Sequence, residues 1–176
     1  MISQKAKNLS SASHIKKSYQ TGQSGQRRFY DSCKALGHDI KQANKRQDIA
    51  HIDFFLNGET VDVKGLKDEH KNGRVILELK NVQGKDGWCS EKSSKWIAFD
   101  FGGFFLVAKT IDLIDLVKSK CDLNNLVPRL KDALYAGYTR KDRSDLITIV
   151  KIQDVLNNCH HKILPYSDYH VPMDKV

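Results

Sequence analysis

Residues 51–64 read His-Ile-Asp-Phe-Phe-Leu-Asn-Gly-Glu-Thr-Val-Asp-Val-Lys. An Asn57-Gly58 pair between two alternating runs is the strongest short-range signal for a two-residue β-turn. A turn closed on Leu56 and Glu59 pairs Phe55 with Thr60, Phe54 with Val61 and Asp53 with Asp62. Strand side chains alternate, so Asp53, Phe55, Thr60, Asp62 and Lys64 share one face, and Ile52, Phe54, Leu56, Val61 and Val63 the other. Like charges directly opposite on a sheet are destabilising by about 0.2–1 kcal/mol. Two facing carboxylates and a lysine above an apolar layer therefore read as a metal site. The competing reading is a solvated strand face with a cross-strand ion pair.

Outward from the hairpin, the composition bounds the answer. A chain of 176 residues, 40% hydrophobic and 28% charged, suits one globular domain with a core of its own. No apolar run approaches the roughly 18 residues of a membrane span, and Met-Ile-Ser-Gln-Lys-Ala-Lys at the N-terminus lacks the apolar stretch of a secretory signal. Cys33, Cys89, Cys121 and Cys159 are scattered without a CxxC spacing, which points to free thiols in a reducing, cytoplasmic compartment. The net charge is +8, and residues 1–48 hold ten Lys or Arg against three Asp and no Glu. Such a basic segment suggests a polyanionic partner, most often nucleic acid.

The periodicity predicts a basic, Ser- and Gln-rich arm over 1–23 and one domain over 24–161, with an extended tail over 162–176. Within the domain, Phe29, Cys33 and Leu36 mark a helix from Ser24 that stops at Gly37. Residues 38–49 read as a loop. The hairpin follows over 50–56 and 59–66, then a strand from Arg74 to Asn81. Trp96–Phe99 and Phe104–Val107 read as buried strands, and Thr110 as the cap of a helix through Lys120. A helix over Leu126–Ala136, a strand over Leu146–Val150 and a short helix to Asn158 complete the pattern. The order predicts an α+β, or mixed α/β, domain built on one central sheet flanked by helices.

Hard carboxylate oxygens such as those of Asp53 and Asp62 suit Mg²⁺ or Mn²⁺, and a lysine on the same face can orient a water or neutralise a phosphate. With Asp53, eight intervening residues and Asp62-Val63-Lys64, the chain resembles the PD-(D/E)XK nuclease superfamily, the restriction-endonuclease-like fold. The resemblance covers roughly residues 24–120. It implies a metal-dependent DNA endonuclease, with Mg²⁺ (Mn²⁺ as substitute) on Asp53 and Asp62, the Val63 carbonyl as a further donor, and Lys64 positioning the attacking water. Ile52 stands where the family pattern has its nominal proline. The first-helix glutamate of resolvase-like members is missing, with Gln26 and Asp31 its nearest substitutes. A second registration, Asp62 with Glu78-Leu79-Lys80, also satisfies the pattern. If 59–66 pairs with 74–81, Glu78 joins the metal ligands and Lys80 the catalytic set.

Arg27, Arg28, Lys41, Lys45, Arg46, Lys85, Lys92 and Lys95 are the candidate nucleic-acid contacts. Trp88 reads as a packing anchor, the Arg140–Arg143 loop as a phosphate contact or an ordinary turn, and Cys159-His160-His161 lacks the second ligand pair that zinc requires. The expectation is therefore a phage or bacterial nuclease acting on DNA, with RNA possible and a homodimer plausible. The alternative is a nucleic-acid-binding module that kept the fold and lost the chemistry.

Overall fold

The structure is a computed structural model that describes residues 22–44, 46–47 and 51–166. Helix α1 occupies 22–35. It is followed by β1 (Ile40–Gln42), β2 (Phe54–Leu56), β3 (Glu59–Lys64), α2 (Asp68–Lys71) and β4 (Arg74–Lys80). Then come β5 (Trp96–Asp100), β6 (Phe104–Lys109), α3 (Thr110–Lys120), β7 (Asp122–Val127), β8 (Ala136–Tyr138), β9 (Leu146–Lys151), α4 (Ile152–Asn158) and β10 (His161–Pro165). The fold is mixed α+β, with two sheets rather than the single central sheet expected. One has the order β1-β2-β3-β5-β6-β10 and the other β4-β9-β8-β7.

The hairpin forms in the expected register, Phe54 with Val61, Phe55 with Thr60 and Leu56 with Glu59. Asn57 and Gly58 both take positive φ, 50° and 83°, the backbone a tight hairpin turn demands. The regular ladder ends at Phe54. The Asp53 N–H donates to the Val61 carbonyl at 2.9 Å, and the Asp53 carboxylate accepts the Val63 N–H at 2.7 Å. A side chain thus replaces a backbone acceptor at the open end of the hairpin.

β3 does not pair with residues 74–81. Its free side is taken by β5, in parallel, with Asp62 beside Ile97 and Lys64 beside Phe99. The run Ile97-Ala98-Phe99 is buried on both faces, as a central parallel strand requires. β4, excluded from that sheet, pairs antiparallel with β9.

The two faces of the larger sheet are covered differently. Val61 and Val63 join Phe54, Ala98, Phe105 and Val107 on one face, under Phe29 and Cys33 of α1. On the other, Ile97, Phe99 and Leu106 meet Val75 and Leu77 of β4, Val150 of β9 and the apolar side of α3. Asp62 alternates onto this second, covered face and is only 3% exposed. A solvated strand face is ruled out at that position.

Other differences have local causes. Ile40–Gln42, expected to be loop, adds an edge strand through the single buried Ile40. Residues 22 and 23, assigned to the arm, are already helical; residues 1–21 lie outside the described part. Thr110 is the first residue of α3 rather than its cap, and its hydroxyl donates to the Ser94 carbonyl. No α-helix spans 126–136; a single 3-10 turn, Leu130–Asp132, is all that forms there. Pro128 lacks an N–H and biases Val127 away from helical backbone, Tyr135 sits at φ 58°, and Leu126 and Val127 pair with Gly137 and Tyr138 instead. Residues 162–165, expected to begin an extended tail, belong with His161 to β10, which completes the larger sheet against β6.

Candidate functional site

The open end of the hairpin gathers charged, amide and aromatic side chains from four parts of the chain. Asp62 and Lys64, two residues apart on β3, form an ion pair at 2.7 Å. Asp53 enters from the start of β2. From α1, the Gln26 amide donates to Asp53 Oδ1 at 2.7 Å. Gly25, one residue earlier, permits that approach, because a Cβ there would meet the Gly65 Cα at 3.0 Å.

Trp88 closes the site from above. Lys64 Nζ lies 4.7 Å from the centroid of its ring, a cation–π contact that fixes the ammonium and shields it from water. The loop reaches this position because Gly87 lies flat on β4. Its N–H bonds the Leu79 carbonyl at 2.9 Å, and the Cys89 N–H bonds that of Glu78 at 3.0 Å. A Cβ at residue 87 would fall 2.3 Å from the Glu78 carbonyl oxygen, so only glycine fits. Trp88 is therefore a packing anchor and a wall of the site at once.

The carboxyl of Asp53 is pushed up from its ordinary 3.8 to about 6, first by burial and then by the charge of Asp62. The Val63 N–H, Lys64 and Gln26 oppose that rise. Glu78 is also raised, chiefly by burial, while Lys64 and Arg140 favour its ionised form and Asp145 disfavours it. Glu78 thus lies within the electrostatic reach of Lys64, although it arrives on the second sheet. Arg140 stands 3.6 Å from it and pairs also with Asp145.

These positions sort the sequence candidates. Asp53, Asp62 and Lys64 converge, and Glu78 approaches Lys64. No group of three or more His, Cys, Asp or Glu side chains among the described residues forms a ready-made metal cage, so Asp53, Asp62 and Glu78 do not meet as one. Lys80 is exposed at the end of β4, where it makes no ion pair among the described residues. Arg28 pairs with the buried Asp100 at 2.6 Å and stays partly exposed. Arg27, Lys41, Arg46, Lys85, Lys92 and Lys95 are exposed. Of these, Lys92 pairs with Asp86 at 3.0 Å and Lys95 pairs with Glu59. Lys45 lies outside the described residues.

His70 is a core histidine, stacked on Phe101 and donating from Nδ1 to the Asp100 carbonyl at 2.7 Å. His160 is held by Asp112 at 2.7 Å. The four cysteines are free, and burial pushes the Cys89 thiol up to about 12, which removes it from nucleophilic chemistry. Sequence reasoning missed Arg140 and Asp145 as neighbours of Glu78, and Asp100 as a buried charge. Only the Asp-rich, Arg-rich character of 140–145 signalled the former.

The carboxylate pair fits a divalent cation on chemical grounds. It offers hard oxygen donors, and the Asp53 carboxyl is raised first by burial and then by the charge of Asp62, the second of which a dication would relieve. No family model, curated protein or solved structure matches the chain. No helix among the described residues is long and apolar enough to cross a membrane.

Proposed function

We propose that the chain is a metal-dependent endonuclease that hydrolyses DNA phosphodiester bonds, using Mg²⁺ or, in substitution, Mn²⁺. One observation carries the reading: a buried aspartate, Asp62, paired with Lys64 at 2.7 Å and facing a second, repelled aspartate, Asp53. A pair kept for stability alone would have no reason to add the second negative charge.

Asp53 and Asp62 would hold the ion, with the Val63 carbonyl as a further donor; two protein carboxylates completed by water and substrate phosphate are a usual set for Mg²⁺. When bound, the ion supplies positive charge to the phosphate under attack. The remaining work falls to side chains of this chain. Lys64 hydrogen-bonds the attacking water and directs its lone pair in line with phosphorus. Trp88 keeps that ammonium in place and partly dry. Gln26 is a positioning residue that orients Asp53. Cleavage leaves a 3′-hydroxyl and a 5′-phosphate, as the resemblance to PD-(D/E)XK nucleases implies. The exposed lysines and arginines supply sequence-independent phosphate affinity that falls with salt. Two copies acting together would account for cleavage of both strands, and the free cysteines suit the cytoplasm.

A neutral amide, Gln26, touching Asp53 favours a second reading, a nucleic-acid-binding module without chemistry. Plasmid, linear and branched DNA, with RNA in parallel, incubated with Mg²⁺ or Mn²⁺ separate the two. The nuclease reading expects cleavage by the wild type and none by Asp62→Ala. Cutting by Asp62→Ala at the wild-type rate would sink the proposed site, and binding without cutting on every substrate would leave the module.

A further inference from the structure

A cavity of about 300 Å³ lies between α1 and the β1–β2 edge, lined by Gln23, Gln26, Arg27, Tyr30, Gln42 and Phe54. We infer that it receives a single unstacked nucleobase of the substrate strand, the neighbour of the scissile phosphate. The inference rests on the nuclease reading and names the class of DNA that the site would take.

Three observations point this way. The cavity adjoins the catalytic end of the hairpin: Gln26 lines it and also donates to Asp53 at 2.7 Å, and Phe54 follows Asp53 in the chain. Its size is at the lower limit of small-molecule sites, about 300–1,000 Å³, enough for one base and far too small for a duplex. Its lining combines amides and aromatic rings. Gln23 and Gln42 each carry paired donor and acceptor groups that match base edges. Tyr30 and Phe54 face one another with ring centroids 6.1 Å apart, an aromatic wall of the kind on which bases stack.

Arg27 is exposed at the rim, with Asp31 at a loose 3.8 Å, and is placed to meet the phosphate on the far side of that base. A paired base would have to leave its stack to enter, which costs least where it is already unpaired. The favoured substrate is therefore DNA with an unpaired nucleotide beside the cut, at a branch, flap or frayed end, rather than continuous duplex.

The test uses the full chain with Mn²⁺ and oligonucleotides of one sequence presented as duplex, as a flap and as a single strand. The wild type is expected to cut the unpaired forms at least about tenfold faster than duplex, and Tyr30→Leu and Gln42→Ala are each expected to reduce that ratio by about tenfold. Tyr30→Leu keeps apolar packing on Phe54, and Gln42 is exposed, so thermal melting verifies that both fold. A 2-aminopurine at the nucleotide beside the cut, bound to Asp62→Asn, is expected to lose fluorescence by stacking, and to regain it when Tyr30→Leu is added. Equal cutting of duplex and unpaired forms, or a ratio unmoved by both variants, overturns the inference while the nuclease reading stands. No cutting of any form by the wild type overturns both.

Discussion

Two aspartates lie buried on neighbouring strands of the same sheet, and they are handled in opposite ways. Asp100, on β5, is fully buried, and every oxygen is satisfied. Arg28 takes Oδ2 at 2.6 Å, the Gly102 N–H takes Oδ1 at 2.8 Å, and the Tyr166 hydroxyl donates to Oδ1 as well. Asp62, on β3, has Lys64 for a partner and Asp53 as a like-charged neighbour. One cluster balances its charge and ties α1 to β5 and to Tyr166 beyond β10. The other holds an excess of negative charge next to a lysine. Burial of a charge marks both; only the Asp53–Asp62 pair carries the like-charge repulsion that the proposed cation would relieve.

That contrast predicts opposite responses to mutation. Lys64→Ala should lower cleavage by about 10²–10⁴-fold, the range for a positioned proton-handling group, and Asp62→Asn should abolish measurable turnover. Asp62→Asn should melt near the wild-type temperature, since it relieves Asp53 of a like-charged neighbour, whereas Lys64→Ala removes the ion-pair partner of the buried Asp62 and should lose stability as well. Asp100→Asn should do the reverse, removing about 3 kcal/mol of stability because the Arg28 charge loses its partner. Purified enzyme assayed for cleavage and for urea unfolding distinguishes these outcomes. An Asp62→Asn variant as unstable as Asp100→Asn would erase the comparison.

The hairpin was readable from sequence because its information is local. Asn57-Gly58 sets the turn, and alternation then places Asp53, Asp62 and Lys64 without any tertiary knowledge. The strands after it were readable for the same reason, as was α3 from the spacing of Ile111, Ile114 and Val117, although Ile111 is exposed and Leu113 and Leu116 complete the buried side. What failed was non-local. Whether β3 takes β4 or β5 as its neighbour depends on which strand can be buried on both faces, and Trp96–Phe99 wins that competition over a segment carrying Glu78 and Lys80. The second registration of the motif dissolved there: Glu78 reaches Lys64 from another sheet and Lys80 does not. Nor does anything in residues 24–36 announce that Arg28 pairs with Asp100, 72 positions later. Over 126–136 an apolar spacing imitated a helix, and Pro128 with the left-handed Tyr135 outweighed it.

Charge repulsion should also be visible as pH dependence. Between about pH 4 and pH 6 the folded chain keeps a proton on Asp53 that the unfolded chain has released, since its carboxyl is raised from 3.8 to about 6. The stabilisation this provides is complete at acid pH and is lost as pH rises through about 6. Asp53→Asn should therefore exceed the metal-free wild type at pH 8 by about 1–3 kcal/mol, with the gap about halved at pH 5 and closed below about pH 4. Mn²⁺ should raise the melting temperature of the wild type more at pH 8 than at pH 5, and should do little for Asp53→Asn. Denaturation curves at the two pH values decide the matter, and a gap independent of pH would show that burial and Asp62 together do not raise the Asp53 carboxyl.

The smallest effect expected is also the most specific to the frustrated cluster. The Gln26 amide lowers the Asp53 carboxyl, but burial and Asp62 outweigh it. Gln26→Leu removes one hydrogen bond of about 1 kcal/mol, which moves the acid limb of the cleavage profile to higher pH by less than about one unit. The maximal rate at high pH should change little, because Asp53 is ionised there with or without the amide. Gln26→Glu should move the limb further in the same direction, since a third carboxylate adds repulsion, and should tighten Mn²⁺ binding once all three are ionised. The corresponding change at the balanced cluster, Tyr166→Phe, should leave the profile where it was. A profile that shifts equally for Gln26→Leu and Tyr166→Phe would mean that the two aspartates report the same general loosening of the fold, and that the contrast between them has no chemical consequence.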